Sequence, residues 1–310
     1  MRGGFVRLSS LSIQNHQIPP FILQHSYLIF TMAITIDMIK QLREATAAGM
    51  GACKEALTAC NGNMDEAVKY LREKGLAVAA KRVDKESKQG IVALAEAADK
   101  KTMALAEVNC ETDFVAKTEA FIKFVDDAAK VALEGKDIEQ TLNDDYKMLL
   151  TKTGENVKIR RSERYVLEGN GVISGYIHMG GKIGVIVELS GGDKTLGKDV
   201  AMQIAAAKPQ CIGREDVDQE ALAHEREVLR KQALEEGKPE KIVEKMVDGR
   251  INKYYKEVCL VEQEFVKDSD KTIKDILAGV EVRRFARFEM GEGLEKKNED
   301  FAAEVAAQMK

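Results

Sequence analysis

Residues 171–193 read GVISGYIHMGGKIGVIVELSGGD, and this stretch decides the fold class. After the pair Gly180-Gly181, apolar residues alternate with smaller or polar ones, as expected of a half-buried strand. The glycine pair suits a tight hairpin turn, so two antiparallel strands are predicted. A helix is predicted next over residues 196–207, ending before Pro209. The unit therefore consists of a strand, a turn, a strand and a helix, which is an α+β arrangement.

The same order of elements occurs earlier in the chain, where Gly90 opens a unit 81 residues before Gly171 opens the other. A turn is predicted at residues 99–101 and a return strand over 103–110. The helix that follows shows an apolar stripe at helical spacing, formed by Phe121, Phe124, Ala128 and Val131. Two related α+β core subdomains are therefore predicted.

Residues 35–75 predict three short helices, a small core of the kind that serves as a docking module. Asn61-Gly62 interrupts the apolar pattern with two residues that tolerate a left-handed backbone. Asn63 offers a cap for the third helix, and Gly75 is expected to end that helix. The module resembles a ubiquitin-associated (UBA-like) three-helix fold, and a generic three-helix bundle is an equally good interpretation.

Residues 218–257 are strongly helical in composition and are interrupted at 237–239 by Gly-Lys-Pro. Glycine suits the position after a helix and proline suits the first helical position. Two antiparallel helices are predicted, each about 27 Å long, and such a helical hairpin (a short coiled coil) can protrude and touch a partner. Beyond it, a strand over residues 284–290 is predicted to return to the second subdomain's sheet, and a terminal helix is predicted over 299–308.

These predictions divide the chain into seven parts. They are a leader (1–31), the three-helix module (32–80), a linker (81–89), the first core subdomain (90–169), the second core subdomain (170–214 and 258–295), the helical hairpin (215–257) and a C-terminal helix (296–310). The leader contains no Asp or Glu, and it is either an organelle transit peptide or an artefact of start-site choice. The artefact is favoured, because the leader shows no amphipathic helical stripe.

Composition argues against several classes of function. The formal net charge is −4 over 310 residues, whereas direct binding to nucleic acid usually goes with a basic excess. The apolar part of the leader is too short and too broken to span a membrane. Five cysteines without a C-x-x-C motif disfavour a disulfide framework or a zinc site and favour a reducing cytosol. The chain also lacks the glycine motifs of nucleotide-binding loops, so no cofactor is expected.

The segment 109–117 joins a predicted strand to a predicted helix and carries Phe114 among polar neighbours. Asp113 lies near the helix N-terminus, where a carboxylate is favoured, and is expected to position the turn. A large aromatic residue on a loop is a natural interface anchor, but Phe114 can equally fold back over the sheet edge. Cys110 is a weak candidate for a nucleophile, because no histidine lies close to it in sequence.

Several motifs resemble the elongation factor Ts family, and they occur in the family's order from Met32 to the C-terminus. They are Leu42-Arg43-Glu44, Gly49-Met50 and Cys53–Leu57 in the module, Thr112–Lys117 in the loop, Gly154-Glu155-Asn156 with Ile159-Arg160-Arg161, His178 with Lys182–Val185, Lys208-Pro209, and Arg287–Gly293. The leader lies outside the resemblance. So many independent motifs in one order argue strongly against a chance match.

The resemblance implies a guanine-nucleotide exchange factor that binds elongation factor Tu in its GDP-bound form, without covalent catalysis and without a cofactor. Asp113 and Phe114, flanked by Thr112 and Val115, resemble the pair that wedges into the partner's G domain and disturbs its magnesium and phosphate sites. Further contacts to the partner are implied for Gly154 and His178 in the core, for Arg43, Met50 and Lys54 in the module, and for Met246 and Val247 in the hairpin.

The resemblance also implies a location and a set of partners. The bacterial cytoplasm is expected, with an organelle as the alternative if the leader is a transit peptide. Neither nucleic acid nor a membrane is expected as a direct partner, and a homodimer is left open. The alternative function is a UBA-type adaptor that binds ubiquitin-like proteins through residues 35–75, and a hydrolase built on Cys110 is a weaker alternative.

Overall fold

The computed structural model describes residues 34–46, 48–82, 85–237 and 239–294. Within them the chain is an α+β protein in which helices flank small antiparallel sheets. The predicted leader and the predicted C-terminal helix lie outside the described residues. No helix in the described part of the chain is long and apolar enough to cross a membrane.

Three helices occupy the N-terminal module: α1 (Ile36–Thr46), α2 (Met50–Ala59) and α3 (Met64–Lys81). Between α2 and α3, Asn61 and Gly62 have the left-handed φ angles of 49° and 83° that their residue types allow. The Asn63 side chain then caps α3 by accepting two backbone N–H groups at 3.1 and 3.2 Å. The helices enclose a small core of their own, which includes Leu42, Leu57 and Leu71.

Gly75 lies inside α3 and marks a close helix crossing. A Cβ atom built there would lie 2.1 Å from Oγ1 and 2.8 Å from Cα of Thr151, a residue of α7 (Asn143–Thr153). The missing side chain lets the two backbones approach, and the Thr151 hydroxyl donates to the Leu71 carbonyl at 3.0 Å. The prediction that Gly75 ends the third helix is therefore wrong, and its contact joins the module to the first core subdomain.

The first core subdomain contains a three-stranded antiparallel sheet in the order β1 (Gln89–Glu96), β2 (Thr102–Cys110) and β3 (Lys158–Val166). Helices α4 (Asp113–Ala116), α5 (Glu119–Leu133), α6 (Ile138–Thr141) and α7 lie between β2 and β3 in the chain. Phe121 and Phe124 of α5 and Leu149 of α7 belong to the core on one face of the sheet. The apolar stripe predicted for α5 is confirmed.

The second core subdomain repeats this plan with strands β4 (Val172–His178), β5 (Ile183–Leu189) and β8 (Val282–Glu289). Helix α8 (Lys194–Ala207) covers one face of the sheet. Val187 pairs with Phe285, which confirms that the last strand returns to this sheet. A ribbon of β6 (Glu264–Phe265) and β7 (Asp268–Thr272) and the short helix α11 (Ile273–Leu277) complete the subdomain.

The two sheets stack on each other through the faces that the helices leave free. Leu105 of β2 and Ile186 of β5 are buried in this layer, and a Cβ atom at Gly184 would lie 2.5 Å from a methyl group of Val92. The prediction that β5 is half-buried is therefore wrong. Both of its faces are covered, and its polar residue Glu188 is as deeply buried as its apolar neighbours.

Helices α9 (Gln219–Glu235) and α10 (Glu240–Val258) form a helix pair between the two parts of the second core subdomain. Arg226 pairs with Asp248, and Arg230 pairs with Glu244. Residues with higher numbers in α9 thus pair with residues with lower numbers in α10, so the helices run antiparallel. A small core of its own holds the pair together, with Ala233, Val243 and Ile251 at its centre.

Candidate functional site

The segment after β2 forms a single helical turn, α4, that presents Phe114 to solvent. Thr112 caps this turn, because its Oγ1 accepts the backbone N–H of Val115 at 3.3 Å. The side chain of Phe114 is 79% exposed, whereas Val115 packs partly against the first core and Ala116 is buried. The interpretation that Phe114 folds back over the sheet edge is therefore wrong, and its ring is available as a contact.

The carboxylate of Glu155 fixes the start of this turn. Its Oε2 accepts the backbone N–H groups of Glu111 and Thr112 at 3.0 and 3.1 Å, and its Oε1 accepts the Thr112 hydroxyl at 2.6 Å. Hydrogen bonds to an ionised acceptor are among the stronger ones in proteins. Gly154 precedes it with a left-handed φ of 64° that ends α7, so the loop after α7 is joined to the turn after β2.

A second set of contacts ties the same loop to the end of α3. Arg82 donates to the Gly154 carbonyl at 3.1 Å and to Glu111 Oε2 at 2.8 Å. Glu111 Oε1 in turn accepts the backbone N–H of Asn156 at 2.6 Å. Two segments distant in sequence therefore hold the turn, so that Phe114 is exposed while the backbone that carries it is fixed.

Asp113 forms an ion pair with Lys117 at 2.6 Å, one helical turn later in the chain. The hydrogen bond from Lys117 holds the pKa of Asp113 below its ordinary value, so this carboxylate is ionised at neutral pH. The expectation that Asp113 positions the turn is corrected, because Thr112 and Glu155 make the hydrogen bonds that do so. Asp113 instead places a negative charge beside the exposed ring.

The turn between β4 and β5 presents two further exposed side chains, His178 and Met179. Met179 is 71% exposed, and the Tyr176 hydroxyl lies 3.0 Å from His178 Nδ1. The Gly181 carbonyl accepts the backbone N–H of Val92 at 2.8 Å. This bond fixes the turn against β1 of the other sheet.

The Phe114 turn and the His178 turn lie toward the same edge of the stacked sheets. Lys182, at the end of the His178 turn, donates to Gln89 Oε1 at 3.2 Å. Gln89 pairs with Cys110, which directly precedes the Phe114 segment. The Lys182 charge also contributes to lowering the pKa of Asp113 after the larger effect of Lys117. One surface can therefore include Phe114, Asp113 and the His178 turn.

Cys110 is buried beneath this surface, and its thiol donates to the Thr112 carbonyl at 3.2 Å. Burial raises the pKa of the thiol to about 12, so the thiolate needed for nucleophilic attack is scarce at neutral pH. The geometry gives the Cys110 hydrolase no support. Among the described residues, no group of three or more His, Cys, Asp or Glu side chains could hold a metal ion.

Comparison with known proteins assigns the chain to a family. A family model described as Elongation factor TS matches residues 111–292. Elongation factor Ts of Clostridium novyi is 48% identical in an alignment that covers 89% of this chain and 99% of that protein. Elongation factor Ts of Clostridioides difficile is 48% identical and that of Alkalilimnicola ehrlichii is 47% identical, each with the same coverage of 89% and 99%. The chain belongs to the elongation factor Ts family.

Membership in the elongation factor Ts family gives the chain a role in translation elongation and implies a partnership with elongation factor Tu. The resemblance seen in the sequence motifs is thereby confirmed. The matched range 111–292 includes the Phe114 turn, the Glu155 carboxylate and the His178 turn. The surface described above therefore lies within the part of the chain that the family model matches.

The remaining residues expected to contact a partner lie on other elements. Arg43, Met50 and Lys54 are exposed on α1 and α2, and these helices are separate from those that build the Phe114 turn. In the helix pair, Met246 is half-buried, while Val247 is 2% exposed and belongs to the core of the pair. Met246 therefore reaches the surface, whereas the expectation of a direct contact through Val247 is corrected, because its side chain is buried in the core of the pair.

Sequence patterns do not predict two features of this surface. Glu155 lies within one of the family's motifs, but nothing in its spacing shows that its carboxylate reaches Thr112. The second feature is Met179. Its left-handed φ of 49°, in a turn shared with two glycines, places it at the tip, and the only sequence signal is an apolar residue inside a predicted turn.

Proposed function

We propose that this chain is a guanine-nucleotide exchange factor that binds GDP-bound elongation factor Tu and promotes GDP release. The observation that carries the proposal is the exposed ring of Phe114 on a turn that Glu155 and Arg82 hold in place. Burial of exposed apolar surface in a complex is favourable. A turn that is already fixed also loses little conformational freedom when it binds.

In the proposed complex, Phe114 enters the G domain of elongation factor Tu between two helices. Together with Asp113 it disturbs the magnesium site and the phosphate loop, so that GDP leaves. Gly154 and His178 add contacts to the same domain, and Thr112 and Val115 flank the wedge. No covalent bond is made or broken, so the chain acts without enzymatic catalysis and without a cofactor.

Exchange of this kind follows from thermodynamic coupling. If the chain weakens GDP binding by a given factor, GDP weakens binding of the chain by the same factor. Burial of one aromatic anchor contributes roughly 2–4 kcal/mol, which is comparable to a typical coupling free energy of about 1–3 kcal/mol. One wedge residue can therefore supply much of the effect.

The three-helix module and the helix pair determine where Phe114 contacts elongation factor Tu. The three-helix module, taken as UBA-like, binds elongation factor Tu through Arg43, Met50 and Lys54, and Met50 is 51% exposed. The helix pair, taken as a protruding hairpin, reaches the partner's other domains through Met246 with Val247 behind it. The complex forms in the bacterial cytoplasm, and a homodimer of the chain is compatible with this arrangement.

Release of fluorescently labelled GDP from purified elongation factor Tu tests the proposal. A substoichiometric amount of the chain is expected to accelerate release many-fold, because each molecule acts repeatedly. Labelled GDP mixed with the chain alone is the control and should give no binding signal. An unchanged release rate in a mixture where the two proteins do bind each other would contradict exchange and leave only the partnership.

A further inference from the structure

Two cysteines meet at the base of the helix pair. Cys211 follows α8, Cys259 follows α10, and the two residues form an isolated parallel β-bridge. Their Sγ atoms lie 3.7 Å apart, and both thiols are free. We propose that Cys211 and Cys259 form a reversible disulfide, which makes this pair an oxidation site of the protein.

The backbone already has the geometry that a disulfide needs. Disulfides join residues whose Cα atoms are about 4.4–6.8 Å apart, and neighbouring strands lie about 4.8 Å apart. The two segments are held together by hydrogen bonds from Leu260 N–H to the Cys211 carbonyl at 2.9 Å and from Gln210 N–H to the Val258 carbonyl at 2.8 Å. Side-chain rotation is therefore enough to bring the sulfur atoms to bonding distance.

The two thiols differ in exposure, and this difference determines which thiol reacts first. Cys211 is half-buried and Cys259 is fully buried, so an oxidant of the peroxide class reaches Cys211 first. The Cys211 thiolate attacks one peroxide oxygen, the O–O bond breaks, and a sulfenic acid and hydroxide result. The Cys259 thiolate then attacks the Cys211 sulfur, the S–O bond breaks, and a second hydroxide leaves. In sum, two thiols lose two electrons and two protons, and the peroxide becomes two waters.

The surroundings of the pair make this reaction slow at neutral pH. Burial raises the pKa of both thiols, and that of Cys259 reaches about 12. The nearby carboxylates of Asp216 and Glu262 act in the same direction, while the Arg214 guanidinium opposes them at Cys259. Because the thiolate is the reactive form, oxidation should become faster as the pH rises. At neutral pH the disulfide should therefore form only under prolonged exposure to an oxidant. Once formed, the bond would fix the base of the helix pair.

Peptide mass spectrometry of the full chain after treatment with hydrogen peroxide tests the proposal. The peptides that contain Cys211 and Cys259 should appear joined, with the loss of two hydrogen atoms, and dithiothreitol should separate them. Cys60 is also half-buried, so Cys60→Ser serves as the matched control and should leave the yield of the joined peptides unchanged. In Cys259→Ser, the sulfenic acid at Cys211 should persist and be trapped by dimedone.

Peroxide treatment of the wild-type chain can contradict the proposed disulfide without any variant, so the test does not depend on whether the variants fold. Recovery of Cys211 and Cys259 as free thiols, under conditions that oxidise Cys60, would show that the pair does not react. Oxidation of Cys211 to a sulfinic acid without joined peptides would show that Cys259 does not resolve the intermediate. Either result removes the proposed disulfide.

Discussion

Because the Phe114 side chain is largely in solvent, its substitution should affect binding without affecting folding. We expect Phe114→Ala to change the free energy of unfolding by no more than about 0.5 kcal/mol, as is usual for exposed positions. The efficiency of GDP release from elongation factor Tu should fall by roughly 30-fold or more, the equivalent of about 2 kcal/mol at a hot spot. Thermal denaturation and labelled GDP release measure the two quantities.

A matched control for this variant is available elsewhere on the surface. Val266 is 51% exposed and lies between β6 and β7, away from the Phe114 turn in the chain. Val266→Ala removes exposed apolar surface of a similar kind and should leave GDP release unchanged. If Phe114→Ala promotes release as fast as the wild type, the wedge role of Phe114 is wrong.

Glu155 provides a second test at the residue scale, because it acts on the turn without touching the wedge. Glu155→Gln replaces one acceptor oxygen with a donating amide, which leaves a donor of Glu111 or Thr112 without its partner at a cost of about 1–3 kcal/mol. The turn should loosen, and exchange efficiency should fall by about tenfold. Faster hydrogen exchange at the Thr112 amide, measured by NMR, should accompany this loss. An unaltered amide rate would show that Glu155 does not fix the turn.

At the scale of elements, the crossing of α3 and α7 gives a prediction about stability. Gly75→Ala places a Cβ atom against both the side chain and the Cα atom of Thr151, so shortening Thr151 cannot relieve the whole clash. The helices must separate, and overpacking of this kind costs about 1–3 kcal/mol. Urea denaturation should show this loss, and Gly75→Ala/Thr151→Ala should recover only part of it.

Gly249 is the matched control for this variant, because it lies in the middle of α10 and a Cβ atom there would meet no neighbouring atom within 4 Å. Gly249→Ala should stabilise its helix by up to about 1 kcal/mol, since alanine is the better helix former. If Gly75→Ala stabilises the protein as Gly249→Ala does, a close helix crossing is not the reason for glycine at position 75.

The elements that can be predicted from the sequence are those with a sustained pattern. The α5 stripe and the alternation in β5 place both elements to within a few residues. Strand β3, with the sequence KIRRSERYV, is not predicted because its arginines interrupt any alternation. Two of them, Arg160 and Arg161, pair with the buried Glu107. Strands β6 and β7 and helix α11 are too short to show a period.

For the candidate site, the sequence predicts the contact residue but not the contacts that hold it in place. An aromatic residue among polar neighbours marks Phe114 as exposed or folded back, and family motifs favour contact. The carboxylate that holds the turn comes from Glu155, 43 residues after Thr112. No local pattern reports such an approach, because it depends on how the loop after α7 packs against the end of β2.

At the scale of the whole molecule, the two core subdomains are joined by two equivalent buried ion clusters. Glu107 in β2 and Glu188 in β5 are both 0% exposed, and they lie 81 residues apart, as do Gly90 and Gly171. Each acid is held by two consecutive arginines of the third strand of its sheet, which are Arg160 with Arg161 and Arg283 with Arg284.

Each cluster also reaches into the opposite subdomain. The Arg161 guanidinium lies 4.3 Å from the Phe288 ring, and the Arg284 guanidinium lies 4.3 Å from the Tyr165 ring. Glu107 also contacts the opposite subdomain, because it accepts the backbone N–H of Gly291, a residue beyond the last strand of the other sheet, at 2.9 Å. Contacts of this kind oppose separation of the sheets, so the two subdomains should unfold together.

This arrangement makes stability depend on pH through Glu188. Burial raises the pKa of its carboxyl, but the backbone N–H of Glu168 and the guanidinium groups of Arg284 and Arg283 outweigh burial and hold the pKa below the ordinary value of 4.5. The stabilisation is therefore complete above the unfolded-state pKa and is lost as the pH falls through the lowered pKa. Glu188→Gln should reduce the free energy of unfolding at neutral pH by about 2–4 kcal/mol, because it leaves the arginine pair without its carboxylate.

Urea denaturation at neutral pH and at successively lower pH values checks both parts of this prediction. The difference between wild type and Glu188→Gln should shrink on acidification, since protonation removes from the wild type the same charge that the variant lacks. Glu168→Gln is the control, because the Glu168 side chain is 76% exposed and its ion pair with Arg284 should contribute no more than about 1 kcal/mol. A difference that stays constant across the acid range would mean that the Glu188 charge does not hold the sheets together, and that the variant acts through packing alone.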